Sequence, residues 1–232
     1  DLVLNGDIDL STEVKTNYIY TTNEAPTLTV PTGGSVTEDA STSTITGSLT
    51  SADPENDTPS YSVVGSTATD GAYTVTGSYG TLVLNAATGA YTYTLNNTAT
   101  AVQTLGGSSS VSETFSVQVT DGPNTPDAQS LSFTIQGAND APSAPTLDNS
   151  AIDENIAGDT VGTLSSTDAE SDSVSYTIAD SGDGGSFEID GSTLKLKDSV
   201  TADRETKASY TVTVNASDGT DTTSQAFTIS VG

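Results

Sequence analysis

The stretch ITGSLTSADPENDTPSYSVV (Ile45 to Val64) lies without a gap over TVGTLSSTDAESDSVSYTIA (Thr160 to Ala179), an offset of 160 − 45 = 115 residues. Gly47 meets Gly162, Asp53 meets Asp168, Glu55 meets Glu170, Asp57 meets Asp172 and Tyr61 meets Tyr176. Self-similarity of this length at one period marks a duplicated structural unit. The framing repeats as well. NEAP (Asn23 to Pro26) stands before the first copy and NDAP (Asn139 to Pro142) before the second. Each copy then reaches an Asp-Gly pair, Asp121-Gly122 or Asp218-Gly219, and closes on FTIQG (Phe133 to Gly137) or FTISVG (Phe227 to Gly232). The chain therefore divides into a leader, residues 1–22, and two homologous units, residues 23–138 and 139–232. In the leader, LVLNGDIDL reads as a hairpin about Asn5-Gly6 and KTNYIYTT as a strand. With Asp at position 1 and no signal peptide, the sequence reads as an internal piece of a longer chain.

Strand periodicity fills both units. TYTL (Thr92 to Leu95), FSVQV (Phe115 to Val119), YTVTV (Tyr210 to Val214) and FTISV (Phe227 to Val231) alternate apolar and polar residues, the period of a half-buried strand. About seven such segments per unit, separated by turn residues, predict an all-β chain of two tandem antiparallel β-sandwiches, elongated. In the second unit the strands are expected at about 146–152, 160–165, 174–178, 186–189, 193–197, 208–215 and 223–231. No segment carries a helical period, and none has the apolar length of a membrane helix. DSGDGG (Asp180 to Gly185) reads as a glycine-rich hairpin rather than a calcium loop.

Composition narrows the chemistry. Of 232 residues 31 are acidic and 5 basic, a formal charge of −26, and His, Cys, Met and Trp are absent. Without Cys or His there is no disulfide, thiolate nucleophile, imidazole base or zinc site of the usual kind. The charge repels nucleic acid and anionic lipid. It resembles the charge of a disordered chain, but the polar excess is Thr (42) and Ser (32), set in strand alternation. Carboxylates unaccompanied by nitrogen or sulfur ligands suit hard cations, Ca2+ above all.

Topology turns the acidic count into a map. In a seven-stranded sandwich joined mostly by hairpins, even strands end and odd strands begin at the pole where the chain comes in, here the N-terminal pole. Asp168, Glu170 and Asp172 follow strand two and Asp218 follows strand six, which puts them at the N-terminal pole of the second unit, beside Asn139 and Asp140. Glu154, Asp203 and Glu205 fall at its C-terminal pole. In the first unit Asp53, Glu55, Asp57 and Asp121 fall at the N-terminal pole, and Glu38 and Glu113 at the C-terminal pole. Glu38, Glu113, Asn139, Asp140, Asp168, Glu170 and Asp218 are thus expected to converge at the junction, where ionised carboxylates need a compensating cation. Taken singly, each of these acids is an ordinary solvated turn residue; the repetition at one offset and the opposing poles set the group apart.

Residues 139–231 resemble a bacterial cadherin-like domain: NDAP, DEN (Asp153 to Asn155), TDAESD (Thr167 to Asp172), DRE (Asp203 to Glu205) and ASDG (Ala216 to Gly219) occur in that family's order. The resemblance implies that Asp168, Glu170 and Asp218 share calcium with the unit before, and Glu154, Asp203 and Glu205 with a unit after. Residues 23–140 resemble the VCBS repeats of large bacterial surface proteins, on YGTLVLNAATGAYTYTLNN (Tyr79 to Asn97), VQTLGG (Val102 to Gly107), ETFSVQVTDG (Glu113 to Gly122) and GANDAP (Gly137 to Pro142). This unit has no DRE string. Together the resemblances imply a segment of an RTX-type, calcium-dependent surface adhesin of a Gram-negative bacterium. Such a protein is secreted by a type I route and serves adhesion and biofilm formation.

The function expected is that of a non-enzymatic extender. Its partners are neighbouring sandwiches of the same chain, joined through calcium, with host or surface ligands gripped by other domains. An alternative is a calcium-dependent module for a glycan or protein ligand, for which Tyr73, Tyr79, Tyr91 and Tyr93 are the candidate contacts; Tyr91 and Tyr93 share a strand face and read more readily as core or cross-strand packing. An enzyme would have to rest on carboxylate pairs alone. Arg204 is expected to pair with a carboxylate at the C-terminal pole.

Overall fold

The computed structural model describes residues 23–122, 126 and 128–232. The hairpin and strand expected within 1–22 lie outside them. The first sandwich comprises β1 (Thr27–Thr29), β2 (Ser35–Thr37), β3 (Thr44–Ser48), β4 (Thr50–Ala52), β5 (Ser60–Val63), β6 (Ala72–Thr76), β7 (Gly80–Asn85), β8 (Ala90–Leu95), β9 (Ser110–Thr120) and β10 (Gln129–Gln136). One helical turn, α1 (Thr100–Gln103), links β8 to β9. The second comprises β11 (Thr146–Leu147), β12 (Ala151–Ile152), β13 (Thr160–Ser165), β14 (Ser175–Ile178), β15 (Phe187–Asp190), β16 (Thr193–Leu196), β17 (Ser209–Ser217) and β18 (Thr222–Val231).

The two share one plan. Sheet order β2-β10-β9-β5 in the first matches β12-β18-β17-β14 in the second, and β3-β8-β7-β6 matches β11-β13-β16-β15 once β1 and β4 are added. Each sandwich closes one sheet with a short parallel pair, β2 on β10 and β12 on β18, among otherwise antiparallel ladders. The first adds a strand, because β6, β7 and β8 form a three-stranded meander where the second has only the β15–β16 hairpin. Alternation explains the cores. In β9 the residues Phe115, Val117 and Val119 point inward, in β10 Leu131, Phe133 and Ile135, and the intervening Ser and Thr face outward. Two separate apolar clusters result, one from Leu28 to Ile135 and one from Ile152 to Val231. Two cores mean two folding units.

The strand expected over 146–152 is two strands in different sheets. Asn149 causes the break: its side-chain N–H donates to Ala151 O (3.0 Å) and Val161 O (2.6 Å), while Asp148 Oδ1 accepts Thr163 N–H (2.6 Å). The chain crosses from one sheet to the other there. DSGDGG is likewise a crossover and not a hairpin. β14 and β15 lie in different sheets, and the segment folds as a 3-10 turn over Gly184–Ser186.

Candidate metal centres

The repeated acidic loop builds the same local structure twice. Asp53 Oδ1 accepts the N–H groups of Glu55 and Asp57 (both 2.9 Å), and Asp168 Oδ1 those of Glu170 (3.1 Å) and Asp172 (3.0 Å). These are Asx-type turns, the local reason for Asp at the first position of D-x-E-x-D. Asn56 (φ 61°) and Ser171 (φ 67°) take left-handed backbone at matching places. Each turn spends one oxygen of the leading Asp and leaves Oδ2 buried with no hydrogen-bond partner. Asp57 and Asp172 are exposed, away from the sites.

At the junction the linker threads between the sandwiches. Glu38, only 1% exposed, accepts Ala138 N–H on Oε1 (2.6 Å). Its Oε2 is buried without a partner, as are Asp140 Oδ2, Asp168 Oδ2 and both carboxylate oxygens of Glu170. Asn139 Nδ2 donates to Asp218 Oδ2 (2.9 Å) and Asp221 Oδ2 (2.8 Å), spanning the loop between β17 and β18. Burial raises the pKa of Glu38, with the Asp140 and Asp39 charges adding to it. Burial also raises Asp140, with the Asp39 carboxyl and the Asp168 charge adding to it, and Glu170, with Asp140 and Asp168 adding. Asp218 moves the other way, held down first by the Asn139 amide and then by the N–H groups of Asp221 and Thr220. No basic side chain among the described residues compensates this group. The ion pairs are Lys195 with Glu188 and Asp198, and Lys207 with Asp183.

The N-terminal pole of the first sandwich repeats the pattern. Asn23 Nδ2 donates to Asp121 Oδ2 (2.7 Å), and Glu24 N–H to Glu55 Oε2 (3.1 Å). Asp121 Oδ1 and Asp53 Oδ2 are buried and unpartnered. At the C-terminal pole of the second sandwich Glu154, Asp203 and Glu205 each bring a carboxylate oxygen within 4.8 Å of the others. Asp203 is shaped like the other Asx turns, accepting from Thr206 Oγ1 (2.8 Å) and from the N–H groups of Glu205 (3.0 Å) and Thr206 (3.2 Å). These bonds, the Thr206 hydroxyl first, hold its pKa down. Arg204 sits beside it, exposed, and forms no ion pair among the described residues, against the pairing expected for it.

Glu113 is placed apart from the junction. It stands inside β9, 7% exposed, accepting Tyr93 Oη–H (2.7 Å) and the N–H groups of Ser78 (2.5 Å) and Tyr79 (3.0 Å). A Cβ on Gly77 would lie 2.2 Å from Glu113 Oε1, so this glycine makes room for the carboxylate. With three donors inside its own sandwich Glu113 is a structural tie between sheets. Counting strands gave the end of β9 but not the inward direction of its side chain. Conversely, the junction contains Asp39 and Asp221, which strand counting did not single out. Asp221 is three residues past Asp218 on the same turn; Asp39 is the neighbour of Glu38, opposite Asn155 of DEN.

The tyrosines weighed as ligand contacts are packed. Tyr91 (5% exposed) and Tyr93 (0%) are core, Tyr93 stacking on Phe133 at 4.3 Å between ring centroids, and Tyr73 and Tyr79 lie partly buried against the same cluster. No helix among the described residues is long and apolar enough to cross a membrane.

Paired sandwiches with acidic, Asx-turned loops facing one another across a short Asn-Asp linker form two tandem domains of cadherin-like fold. Residues 23–137 match the family model of the bacterial cadherin-like domain, and residues 148–231 that of the cadherin domain. The bacterial cadherin-like match thus falls on the unit whose motifs resemble VCBS repeats, and the general cadherin match on the other. No curated protein matches the sequence. Among solved structures the chain is similar to PcdhgB3 EC1-4 (17% identity, covering 90% of this chain and 49% of that one, TM-score 0.58). It is also similar to the protocadherin GammaB4 extracellular domain (18%, 90% and 32%, 0.53) and to mouse cadherin-23 EC22-24 (18%, 91% and 67%, 0.52). At these identities the likeness is one of fold. Cadherin-like domains are extracellular adhesion modules, typically non-enzymatic, and cadherin domains generally bind calcium. The donors gathered here suit that ion: every one is oxygen, and several are buried carboxylate oxygens with no other partner.

Proposed function

We propose that the chain is a calcium-stiffened extender segment of a bacterial cell-surface adhesin, of the RTX-type proteins that carry VCBS repeats. Residues 23–138 and 139–232 are its two units. The observation that carries this reading is the set of unpartnered buried oxygens on Glu38, Asp140, Asp168 and Glu170, drawn from both sandwiches and the linker. Two like charges 4 Å apart repel by about 4 kcal/mol at a surface-like effective dielectric of about 20. A group of this kind is stable as carboxylates only around a cation. Calcium takes six to eight oxygens, so one or more ions would bond both sandwiches at once and fix the angle between them.

Glu38, Asp140, Asp168, Glu170 and Asp218, with Asn139 bracing the last, hold the junction ions. Asp53, Glu55 and Asp121 would face a preceding unit, and Glu154, Asp203 and Glu205 a following one. Extracellular modules bind calcium at about 10⁻⁴–10⁻³ M, so the segment is rigid outside the cell and compliant in the low calcium of the cytoplasm from which a type I system would export it. Such stiffened stalks hold an adhesin's gripping domains away from the cell surface, in service of adhesion and biofilm formation. The test is chelation. Ion binding to the folded state at 100 times the dissociation constant adds about 2.7 kcal/mol. Removing calcium is therefore expected to lower the melting temperature by several degrees and to shorten the maximum dimension in small-angle scattering. Melting and scattering that ignore EDTA would sink the proposal.

A further inference from the structure

Counted back from the Asp-Gly turns, an offset of 218 − 121 = 97, the Asp203-Arg204-Glu205 string of the second sandwich falls opposite Gly106-Gly107-Ser108 in the first. The first sandwich thus brings no carboxylate to the junction from that loop. The loop closes on the linker instead: a Cβ on Gly107 would lie 3.4 Å from Asn139 N, and one on Gly106 3.5 Å from Glu170 Cγ. Charge comes from the other side of the pole. Asp39 has left-handed backbone (φ 54°), and Asn97 grips it twice: Asp39 N–H donates to Asn97 Oδ1 (3.0 Å) and Asn97 Nδ2 donates to Asp39 Oδ1. So held, the Asp39 carboxyl meets that of Asp140. Beside it Glu38 Oε2, on a side chain 99% buried, has no partner. The equivalent residue of the second sandwich, Asn155, has the same backbone (φ 63°) but carries no charge, and there the DRE acids are present.

Resting on the calcium reading above, we propose that Asp39 is a cation ligand of the junction, standing in for the acids missing at Gly106–Ser108, and that Asn97 is its positioning residue. The grip is itself supported from below. Glu113 fixes the Ser78–Tyr79 turn, and Tyr79 O accepts Asn96 N–H (2.8 Å), which seats the Asn96-Asn97 loop. Asp39 leaves one oxygen for a cation after Asn97 takes the other.

The test uses the whole chain with its C-terminal pole neutralised (E154Q, D203N, E205Q), titrated with calcium by calorimetry and flow dialysis, alone and with D39N or N97A added. D39N is expected to lose one bound ion or to weaken junction binding at least tenfold, while its melting temperature in EDTA is unchanged or higher, because a repulsion with Asp140 has gone. N97A is expected to weaken calcium binding more than threefold; a merely structural role would lower melting equally with and without calcium and leave affinity alone. D39N binding with unaltered stoichiometry and affinity overturns the assignment of Asp39. A parent chain that binds no calcium overturns the underlying calcium reading instead.

Discussion

The turns at Glu38 and Glu154 hold the same place in the two sandwiches, followed by left-handed residues Asp39 and Asn155, yet their carboxylates meet different surroundings. Glu38 is 1% exposed under the linker and the second sandwich, with one oxygen bonded to Ala138 N–H and the other unpartnered. Glu154 is half-exposed, grouped with Asp203 and Glu205 at an uncovered pole. The start of the linker closes on Glu38 through Ala138 N–H, and the Asp140 charge lies near it. A pole therefore becomes demanding of a cation when it is covered, and the difference between the two turns measures what coverage does.

The largest effect should come from removing charge at the covered turn. In calcium, E38Q is expected to cost about 3 kcal/mol, since it takes a ligand from a buried ionic group. In EDTA the same change should stabilise, by about 1 kcal/mol, because burial, Asp140 and Asp39 already work against the charged form. E154Q, at the uncovered pole, should stay within about 0.5 kcal/mol in EDTA. Melting curves of the two variants in both buffers check the inversion of sign, and a Glu38 variant that destabilises in EDTA would break the comparison. The same logic sets a pH dependence. Groups whose folded pKa is raised contribute stability that is present when protonated and lost as pH rises through the folded pKa. Glu38, Asp140 and Glu170 are all raised, so the calcium-free chain should gain stability as pH falls from neutrality through their folded pKa values toward the ordinary carboxylate range.

A second contrast lies within the first sandwich, between Glu38 and Glu113, two buried acids of which only one has an unpartnered oxygen. Glu113 spends its oxygens on Tyr93 and the Ser78–Tyr79 turn. E113A should cost about 3 kcal/mol, from lost charge-assisted bonds and donors left unsatisfied. Because Glu113 reaches the cation only through the Asn96-Asn97 loop, the loss in calcium should exceed that in EDTA by no more than the effect of N97A. A larger calcium-dependent excess would place Glu113 among the ligands after all.

Glu113 also shows where the sequence becomes hard to read. Strand alternation at FSVQV and FTISV gives the sheets and both cores, because apolar burial has a period that composition cannot disguise. The 115-residue repeat gives two sandwiches with like loops, and the Asx turns at Asp53 and Asp168 follow from D-x-E-x-D itself. Direction is harder to read. Glu113 stands inside β9 in the register of Tyr210, an inward position, and an acid there is legible only once Gly77 is known to make room and Tyr93 to donate. Asp39 was hidden for the converse reason, an exposed acid in a turn that matters through the partner sandwich it meets. The strand break at Asp148-Asn149 depends on side-chain bonds to Ala151, Val161 and Thr163, which no periodicity encodes.

The smallest effect separates the two poles by how their loops are held without a cation. Lys207 closes the Asp203–Lys207 loop, its N–H on Asp203 O (2.8 Å), its Nζ paired with Asp183 and lying 4.9 Å from the Tyr210 ring centroid. Asp183 in turn accepts Thr211 N–H (2.8 Å). The Lys207 contact first, then Thr211, lowers the Asp183 pKa. The ion pair is partly exposed, so K207M should cost no more than about 1 kcal/mol. A depressed carboxylate contributes stability that is present above its unfolded pKa, about 3.9, and is lost as pH falls through its folded one. The difference in melting temperature between K207M and the parent should therefore be constant from neutrality to about pH 5 and shrink below pH 4. A difference that persists undiminished in acid would mean that Lys207 acts by packing its stem on Tyr210, and that the loop at the uncovered pole is held by apolar contact and not by charge.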